Sequence, residues 1–476
     1  MTNKNKKSAI VVGSGPNGLA AAIALAQAGL AVTVYEKDRV IGGGCRSLEL
    51  IKKGYFHDIC STVHLQAKAS PFFRKLHLEE FGLNWVTSPF AVANPFDDGT
   101  AVVVSQSMPE TVSTLDRIDE KTYIKLMTPL VNQSQKLIDE IMRFPCIPLR
   151  HPFLMLNFGR RALTSTTTLA KSLFKGKRAR ALIAGMGAHS GMKLEQRGSF
   201  ASGFLMCITA HADGWPFPEG GSQKTVDALA GYLTKLGGKI ITDYEVKYLA
   251  QLPPYNLVML DVTPRQFLKM AEKRLPSSYR SKLKKYKYGC GAFKCDWILD
   301  GPIPWKASEC CKSNTVHIGG YLEEIAASER EVNLQRHPDK PFVILTQPSL
   351  FDHTRTNGNE HIAYGYCHVP NGSTFDMTDR IEAQIERFAP GFKDRIIGRH
   401  TMSTADLERH NPNCVGGDFL GGAQSLKKLI LPPVSYETPI ENAFLCSSST
   451  PPSPGVHGMC GFRAAQIAIR KLGISH

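Results

Sequence analysis

The sequence predicts an α/β fold in which two glycine-rich turns, about 430 residues apart, each follow a short β-strand and begin a helix. The first lies in "VVGSGPNGLAAAIALAQAGLAVTVYEK" (residues 11–37) and the second in "CSSSTPPSPGVHGMCGFRAAQIAI" (residues 446–469). β-branched residues before the first turn favour a strand, and the alanine-rich run after it favours a helix that stops at Gly29. Strand, glycine turn and helix in this order are the repeating unit of a Rossmann-type parallel sheet. We therefore predict a Rossmann-type domain in which both turns close on one cofactor.

The first turn, "GSGPNG" at residues 13–18, fits the spacing GxGxxG of dinucleotide-binding sites. In this spacing the first glycine makes the tight turn, the second lets the backbone approach a pyrophosphate, and the third lets the helix pack against the strand. The helix N-terminus adds N–H donors and the positive end of the helix dipole. The pattern predicts that the pyrophosphate is bound by Gly13, Gly15, Pro16, Asn17 and Gly18.

An acidic residue closes the second strand. "AVTVYEK" (31–37) ends in Glu36 and Lys37, which we include in the cofactor site. A carboxylate at this place accepts hydrogen bonds from the ribose hydroxyls of an adenosine. It favours a cofactor with a free 2′-hydroxyl, FAD or NAD, over NADP.

The length and net charge of the chain limit its possible domain organisation and its possible partners. The chain has 476 residues, which suffices for two domains or for one large domain with an inserted one. The net charge of +15 is concentrated in residues 161–182 and 273–289. It can be a solvated basic face, a contact with anionic lipid headgroups or a nucleic-acid surface. No nucleic-acid-binding motif supports the last interpretation, and we predict no nucleic-acid partner.

We predict no export signal and no membrane-spanning helix in this chain. The apolar run after the basic N-terminus is broken by a glycine-rich turn, and no stretch of 18 uninterrupted apolar residues follows elsewhere. We therefore expect a cytoplasmic protein, with peripheral membrane contact through its basic segments as an alternative. Its twelve cysteines include no CxxC pair, so we predict reduced thiols and no metal site.

The glycine run that follows the second strand points to a family. In "EKDRVIGGGCRS" (36–47) the glycines and Arg46 resemble the FAD-binding GG-doublet flavoproteins, which include amine oxidases, phytoene desaturases and protoporphyrinogen oxidase. The resemblance implies FAD as the cofactor. It also implies that Gly43 and Gly44 bring backbone N–H groups to the pyrophosphate and that Arg46 lies near the flavin.

A redox disulfide is not predicted from the cysteine spacings. Disulfide reductases carry a cysteine after the same glycines and a second one five residues later. Here Cys45 is present, but Leu50 occupies the second position. Cys290 and Cys295 have the spacing, yet they lie in a strand-like segment where an odd separation places side chains on opposite faces.

The C-terminal turn resembles that of the phytoene desaturase-like family. The matching residues imply that Thr450, Gly455, Val456, Gly458 and Met459 bind the cofactor near the flavin, although serines replace three of the family's glycines. The subgroup related to pyridine nucleotide-disulphide oxidoreductase domain-containing protein shares the look of "DICSTVH", "AHADGWPFPEGGSQ" and "GVHGMCG".

The same resemblance divides the chain. It implies a glutathione reductase-like FAD-binding domain of residues 1–69, 214–264 and 431–476, with an inserted α+β substrate domain of residues 70–213 and 265–430. The helical portion of the insert is 110–213. The backbone near Val246 is expected to meet the adenine. Only "KYLAQLPP" separates Val246 from the next strand, so the family's β-meander is expected to be reduced or absent.

The resemblance implies an FAD-dependent oxidoreductase that desaturates or isomerises an apolar substrate, such as an isoprenoid or lipid. Oxygen, a quinone or a diffusible carrier would accept the electrons, because no second nucleotide-binding motif is present. His457 and His64 are the candidate proton-handling residues, and His189 and His211 are expected to be structural. The alternatives are a flavin amine oxidase-like enzyme and a non-catalytic, flavin-stabilised binding or regulatory protein.

Overall fold

The computed structural model describes residues 7–143, 150–452 and 454–474. Its strands are β1 (Ser8–Val12), β2 (Ala31–Tyr35), β3 (Ser47–Leu48), β4 (His57–Asp58), β5 (Trp85–Val86), β6 (Phe90–Pro95), β7 (Ala101–Val104), β8 (Phe217–Pro218), β9 (Lys239–Ile241), β10 (Leu257–Leu260), β11 (Gly291–Leu299), β12 (Ser313–Ile318), β13 (Val343–Thr346), β14 (His361–Val369), β15 (Ile396–Met402) and β16 (Ala443–Leu445).

Its α-helices are α1 (Pro16–Gln27), α2 (Leu65–Ala69), α3 (Met108–Ser113), α4 (Glu120–Val131), α5 (Ser134–Ile141), α6 (Pro152–Ala162), α7 (Thr166–Leu173), α8 (Lys177–Ala188), α9 (Ala201–Asp213), α10 (Gln223–Lys235), α11 (Pro264–Ala271), α12 (Ser277–Lys284), α13 (Leu322–Asn333), α14 (Thr378–Phe388), α15 (Thr404–His410), α16 (Leu426–Ile430) and α17 (Met459–Lys471).

The described residues form a five-stranded parallel sheet in the order β16–β10–β1–β2–β9. Strand β1 lies at its centre, where Ile10 pairs with Val258 on one side and Thr33 on the other. Alternate side chains of β1 point to opposite faces of the sheet and pack in two different hydrophobic cores. Ala9 and Val11 pack with residues of α1, α10 and α17, while Ile10 and Val12 pack with residues of α11 and α12. A parallel sheet covered by helices on both faces is the predicted Rossmann-type architecture, which is confirmed.

Helix α1 begins and ends where the sequence predicts. Pro16 occupies its first turn, where the missing N–H costs nothing, and Gly29 follows its end with a φ of +86°. Helix α17 lies directly against it. A Cβ atom added to Gly461 would stand 1.7 Å from the carbonyl oxygen of Asn17, so only glycine permits this approach. This packing places the second predicted turn beside the first.

Seven strands of the described chain form a second sheet in the order β15–β11–β14–β13–β12–β6–β7. Its pairs are antiparallel except for β12 with β6, which run parallel. Cys295 lies inside β11 and is buried against Thr378, whereas the thiol of Cys290, just before that strand, contacts the carbonyl of Gly191. The two thiols therefore have separate surroundings.

No strand is present between β9 and β10, a stretch that the structure describes completely. Residues 242–256 form only extended loop and a short turn of 3₁₀ helix at Leu249–Gln251. The β-meander is therefore absent from this stretch, as expected from the sequence. Among the described residues, no helix is both long and apolar enough to cross a membrane. The domain boundaries proposed from the sequence stay a prediction.

Candidate functional site

A cavity of about 1040 Å³ begins at the carboxyl ends of β1 and β2 and continues to the second sheet and to helices α6 and α9. Ligands of open parallel α/β sheets bind at this edge of the strands. Its volume is at the upper end of the range of about 300–1,000 Å³ for small-molecule and cofactor pockets. One continuous space therefore joins the predicted dinucleotide site to the second sheet and to helices α6 and α9.

The first glycine turn forms one end of the cavity. Gly13, Gly15, Pro16 and Asn17 line it, and Gly18 lies just behind, at the start of α1. A Cβ atom on Gly18 would stand 2.1 Å from the carbonyl oxygen of Gly13. Two of the predicted roles of glycine are therefore visible in the geometry: Gly13 adopts a φ of +99°, and Gly18 allows close helix–strand packing.

Glu36 and Arg46 form a buried ion pair on the cavity wall. Arg46 Nη2 lies 3.3 Å from Glu36 Oε1, and Arg46 Nη1 lies 2.7 Å from Asp38 Oδ2. Ser14 donates to Glu36 through both its N–H and its hydroxyl, at 3.0 and 2.5 Å. The arrangement fixes the carboxylate that the sequence assigns to the ribose. The guanidinium of Arg46 therefore lies beside the carboxylate assigned to the ribose, whereas the resemblance implies a position near the flavin.

Asp261 is a site residue that the sequence analysis missed. It follows β10, and its Oδ2 accepts a hydrogen bond of 2.9 Å from the N–H of Gly18. Burial raises the pKa of its carboxyl to about 7, and the charge of Glu36 adds to the rise. Its position at the carboxyl end of the third parallel strand along the chain is the signal that could have identified it.

The second predicted glycine segment touches the first turn. A Cβ atom on Gly43 would lie 3.5 Å from the Cα of Gly15, and one on Gly44 would lie 3.9 Å from the thiol sulfur of Cys60. Lys37, Gly43, Gly44 and Val246, which we assigned to the cofactor site, all line the cavity, and their contact with a cofactor stays a prediction.

The C-terminal turn contributes only part of its predicted set to the cavity wall. Gly455 and Val456 line the cavity, whereas Thr450, Gly458 and Met459 lie behind it. His457 is also buried away from the cavity. Its Nδ1 accepts a hydrogen bond of 3.0 Å from the N–H of Met459 at the start of α17.

His64 lines the cavity but is held on both sides of its ring. Its Nδ1 lies 3.0 Å from the hydroxyl of Thr225, and its Nε2 lies 3.2 Å from the hydroxyls of Ser61 and Ser222. Burial lowers the pKa of His64 to about 4, so the ring is neutral at pH 7. These contacts position the ring, and the proton-handling roles of His64 and His457 stay predictions.

The far end of the cavity is largely apolar. Helices α5, α6, α9 and α16 and the strands of the second sheet supply its walls through Ile141, Met155, Phe158, Leu163, Leu205, Met206, Ile344 and Leu429. The polar and aromatic groups placed among them, which the sequence analysis did not assign to the site, are His189, Trp215, Tyr364, Tyr366 and Lys428. They come from four distant parts of the chain, and no local motif marks them.

Among these groups, burial lowers the pKa values of His189 and Lys428 and raises those of Tyr364 and Tyr366. Burial lowers the pKa of His189 to about 3, and its Nε2 lies 2.8 Å from Nε2 of His317. Burial also lowers the pKa of Lys428 to about 8, although its ammonium still donates to the carbonyls of Gly421 and Gly422 at 3.1 Å. His211, in contrast, lies outside the cavity wall, between Tyr123 and the carbonyl of Ser105.

The residues of the first half of the cavity fit an extended dinucleotide. Backbone N–H groups of two glycine turns and the N-terminus of α1 suit a pyrophosphate. Within the described residues, Asn17 Oδ1, Gln66 Oε1 and His410 Nε2 are buried without a hydrogen-bond partner, and all three residues line the cavity. Buried polar atoms without partners are uncommon, so these atoms are available to a bound molecule. In the described part of the chain, no cluster of His, Cys, Asp and Glu could hold a metal ion.

Comparison with known proteins agrees with this geometry. Residues 11–76 match the model of the NAD(P)-binding Rossmann-like domain. The chain is 23% identical to pyridine nucleotide-disulfide oxidoreductase domain-containing protein 2 of Rattus norvegicus, with 98% of this chain and 94% of the relative aligned. It is 26% identical to phytoene desaturase of Fusarium fujikuroi, over 73% of this chain and 63% of that protein.

A solved structure supports the fold over the full chain. An oxidoreductase from Methanosarcina mazei superposes with a TM-score of 0.68 at 15% sequence identity, covering 97% of this chain and 100% of that one. These findings confirm the resemblance and the fold predicted from the sequence. They support an enzyme of the oxidoreductase class with a dinucleotide-binding domain.

Proposed function

We propose that this protein is an FAD-dependent oxidoreductase of the phytoene desaturase type that desaturates or isomerises an apolar isoprenoid or lipid. The observation that carries the proposal is the single cavity, which has a dinucleotide-binding end at the parallel sheet and an apolar end between α6, α9 and α16. A substrate in the apolar end would therefore lie next to a cofactor bound in the dinucleotide end of the same cavity.

The cofactor would be held by the two glycine turns at Gly13–Asn17 and Gly43–Gly44, by Glu36 and by the backbone near Val246. When bound, FAD supplies a two-electron acceptor for a hydride from carbon. The chain itself would orient the substrate against the cofactor and exclude water with the side chains of α6 and α9. The similarity to a phytoene desaturase over 73% of this chain supports this cofactor and this reaction class.

The lining of the apolar end favours an uncharged substrate over an amine. Lys428, whose pKa burial lowers to about 8, lies in this wall together with Asp418, whose charge acts against that shift. Because Lys428 accompanies this carboxyl group, this part of the wall offers no net negative charge that would attract a protonated amine. An apolar chain gains from burial against Phe158, Leu205 and Met206, at roughly 25 cal/mol per Å² of apolar surface removed from water.

The two helices α6 and α16, which both line the apolar end, also carry exposed apolar side chains, which we together call the rim patch. They are Phe153 and Leu156 on α6, with 86% and 68% of their surface exposed, and Ile430 and Leu431 at the end of α16, with 66% and 67% exposed. Each of the two helices also carries an exposed cation, Arg160 on α6 and Lys427 on α16. Apolar side chains surrounded by cations suit the headgroup region of an anionic bilayer, where apolar substrates are stored. We propose that the rim patch docks on such a membrane.

The substrate assignment is tested by filling the apolar end. Ala201 lines the cavity at the start of α9, and A201F would place a phenyl ring there. We expect A201F to abolish enrichment of apolar compounds from a lipid extract, measured by mass spectrometry of molecules that co-purify with the protein. The matched control is A327F on the exposed side of α13, which should enrich the same compounds as the wild type. Equal enrichment by A201F and the wild type would contradict the assignment.

Membrane docking is tested by co-sedimentation with vesicles. The wild type should bind vesicles containing phosphatidylserine and should bind phosphatidylcholine vesicles weakly. Replacing Phe153 and Ile430 together by serine should reduce binding to the anionic vesicles by about tenfold or more, because two large apolar side chains contribute several kcal/mol when they enter a bilayer. The control variant is I397S. Ile397 is exposed in the second sheet and does not belong to the rim patch, so its replacement should leave vesicle binding unchanged. Binding that survives the loss of Phe153 and Ile430 would contradict docking through the rim patch.

A further inference from the structure

The walls of the apolar end differ in their chemistry. Helices α6 and α9 contribute apolar side chains such as Phe158 and Leu205. The second sheet and the end of α8 contribute three polar side chains, which we call the polar strip: His189, which follows α8, Thr315 in β12 and Thr346 in β13. The two threonines are directly opposite each other in the antiparallel strand pair. A largely apolar space therefore contains a small group of hydrogen-bonding side chains.

A second histidine connects His189 to the sheet. Nε2 of His189 lies 2.8 Å from Nε2 of His317. His317 stands two residues after Thr315 on β12, so their side chains point to the same face of the sheet. The ring centre of Trp215 lies 5.9 Å from that of His189 at an interplanar angle of 85°, and its N–H donates to the carbonyl of Met206. Trp215 therefore holds the ring of His189 by packing, while its own N–H is already used.

The surroundings of His317 determine which nitrogen of His189 carries the proton. Nδ1 of His317 is buried against α8 at Gly185, and it has no hydrogen-bond partner among the described residues. A proton there would make it an orphaned donor, and orphaned buried N–H groups are rarer than orphaned acceptors. Burial lowers the pKa values of both histidines, so both rings are neutral at pH 7. His317 therefore donates through its Nε2–H to Nε2 of His189, and the single proton of His189 lies on Nδ1.

Two hydrogen-bonding groups of the polar strip have no partner in the described part of the chain. Nδ1 of His189 makes no hydrogen bond there, and the residue is only partly buried, at the cavity wall. The hydroxyl oxygen of Thr315 is also without a partner, although this residue is only 2% exposed. Buried polar groups without partners are uncommon, so these two groups suit a ligand that supplies an oxygen atom.

The polar strip is uncharged, which limits the ligands that it can bind. A carboxylate buried against it would have no counter-charge within the strip, and burial of an unpaired charge is costly. A hydrocarbon would leave the N–H of His189 and the hydroxyl of Thr315 unpaired. A carbonyl or hydroxyl group avoids both costs, because its oxygen is neutral and accepts hydrogen bonds.

We propose that the polar strip binds a carbonyl or hydroxyl oxygen of an otherwise apolar substrate, with Nδ1–H of His189 as the donor and the hydroxyl of Thr315 as the second partner. This proposal rests on the proposed function, because it requires that the apolar end holds the substrate. His317 is a positioning residue, since it fixes the tautomer of His189 and does not itself contact the oxygen. The apolar part of the substrate would lie against Phe158 and Leu205.

The test is a competition among four compounds that share a C15 isoprenoid chain: farnesol, farnesal, farnesoic acid and farnesene. The FAD-loaded protein is incubated with an equal mixture of the four and re-isolated by gel filtration, and the bound compounds are quantified by mass spectrometry. We expect the wild type to retain farnesol and farnesal about tenfold or more over farnesene and over farnesoic acid. The reason is that a site built to hydrogen-bond a polar group discriminates against a ligand that lacks it.

Three variants assign this preference to the polar strip. H189F removes the donor and should lower the ratio of bound farnesol to bound farnesene by about tenfold, whereas H189Q restores an N–H donor and should keep most of the preference. T315V keeps the shape of the side chain and removes only the hydroxyl, so it should fold as the wild type does and lower the ratio by roughly threefold. The control is H353F, because His353 is exposed and lies outside the cavity wall, and its ratio should equal that of the wild type.

The outcomes separate this proposal from the function on which it rests. Equal retention of farnesol, farnesal and farnesene by the wild type, with all three lost in A201F, would overturn the role of the polar strip and leave the apolar substrate site standing. A wild-type preference that persists unchanged in both H189F and T315V would overturn it as well. Retention of none of the four compounds by the wild type would contradict the proposed function and the polar strip together.

Discussion

At the level of single residues, the dinucleotide end of the cavity is shaped by contacts that leave no room for side-chain atoms. Gly18 lies against the carbonyl of Gly13, and a Cβ atom on Gly15 would be 2.8 Å from Asp261 Oδ2. Both glycines are therefore required by space. Backbone N–H groups can reach a phosphate only where no Cβ atom intervenes.

Replacing Gly18 by alanine should weaken dinucleotide binding. The new methyl group meets backbone atoms that cannot move without displacing the turn, and overpacking of this kind costs about 1–3 kcal/mol. We expect a loss of about tenfold or more in the affinity for FAD, measured by fluorescence titration. Gly159 supplies the control, because it lies in helix α6 with no atom within 4 Å of a new Cβ. G159A should bind FAD normally and gain about 0.5–1 kcal/mol in stability from helix propensity.

Asp261 gives the folded protein a pH dependence of a defined sign. Its pKa rises from 3.8 to about 7 on folding, because the carboxyl is buried beside Glu36. Between pH 4 and 7 the native state therefore binds a proton that the unfolded state has released. The free energy of unfolding should fall as pH rises through this window, with a contribution of up to about 1.4 kcal/mol per pH unit.

The variant D261N should remove this contribution. Asparagine cannot ionise, and its side-chain oxygen can still accept the hydrogen bond from Gly18. Urea unfolding at pH 5, 6 and 7 should show a smaller decline in stability for D261N than for the wild type. Identical pH profiles of the two proteins would show that Asp261 is ionised in the native state as it is in the unfolded chain.

The sequence predicts the site residues that belong to a local motif. Gly13, Gly15 and Glu36 belong to the first strand–turn–helix–strand motif, and the family resemblance implied Gly43 and Val246; all five line the cavity. The sequence analysis did not assign four other residues of the wall to the site, because strands and helices distant in sequence bring them together: His189, Tyr364, Tyr366 and Lys428. Periodicity marks such residues as interior or exposed, but it does not reveal which neighbours they meet.

At the level of elements, a buried ionic cluster holds the loop that carries Cys60 and His64. Asp58, at the end of β4, accepts hydrogen bonds from Ser47, Thr62 and the N–H of Ser222, at 2.5–2.8 Å. Arg355 Nη2 lies 3.1 Å from Asp58 Oδ2. Burial alone would raise the pKa of Asp58, but the guanidinium and the hydrogen bonds hold it at about 2.

Removing the cation from this cluster should destabilise the protein strongly. R355M keeps the apolar length of the side chain and leaves the buried carboxylates of Asp58 and Asp352 without their partner. A charge left unpaired in the interior costs about 3–5 kcal/mol, which should appear in the urea midpoint. The matched variant R336M breaks the exposed ion pair with Glu331 and should leave the midpoint unchanged. Equal midpoints for R355M and the wild type would contradict the anchoring role of the cluster.

The elements of the parallel sheet are predictable, whereas the order of the second sheet is not. Strands β1, β2 and β10 and helices α1, α10 and α17 follow directly from apolar runs and glycine stops. In the second sheet β6 pairs in parallel with β12, more than 200 residues later in the chain. Pairing two strands this far apart closes a long loop, and long-range contacts must offset the entropy lost in closing it. The residue pattern of a single strand does not show which contacts these are.

At the level of the whole molecule, one cavity connects three structural units. The parallel sheet supplies the dinucleotide end, the second sheet supplies Tyr364 and Tyr366, and helices α6, α9 and α16 supply the apolar walls. Under the proposed function, an apolar molecule would move from a bilayer surface through this cavity to the cofactor. The central claim is that a bound flavin is reduced by such a molecule.

That claim is tested most directly by the visible absorption spectrum of the FAD-loaded protein under anaerobic conditions, before and after addition of an extracted lipid fraction. The account predicts that the visible absorption band of the oxidised flavin bleaches when the lipid fraction is added to the wild type and does not bleach in the A201F variant. Fractionation of the extract would then identify the reductant. A flavin band that persists in the wild type with every apolar fraction would contradict the account, and bleaching by a water-soluble amine would favour an amine oxidase-like enzyme instead.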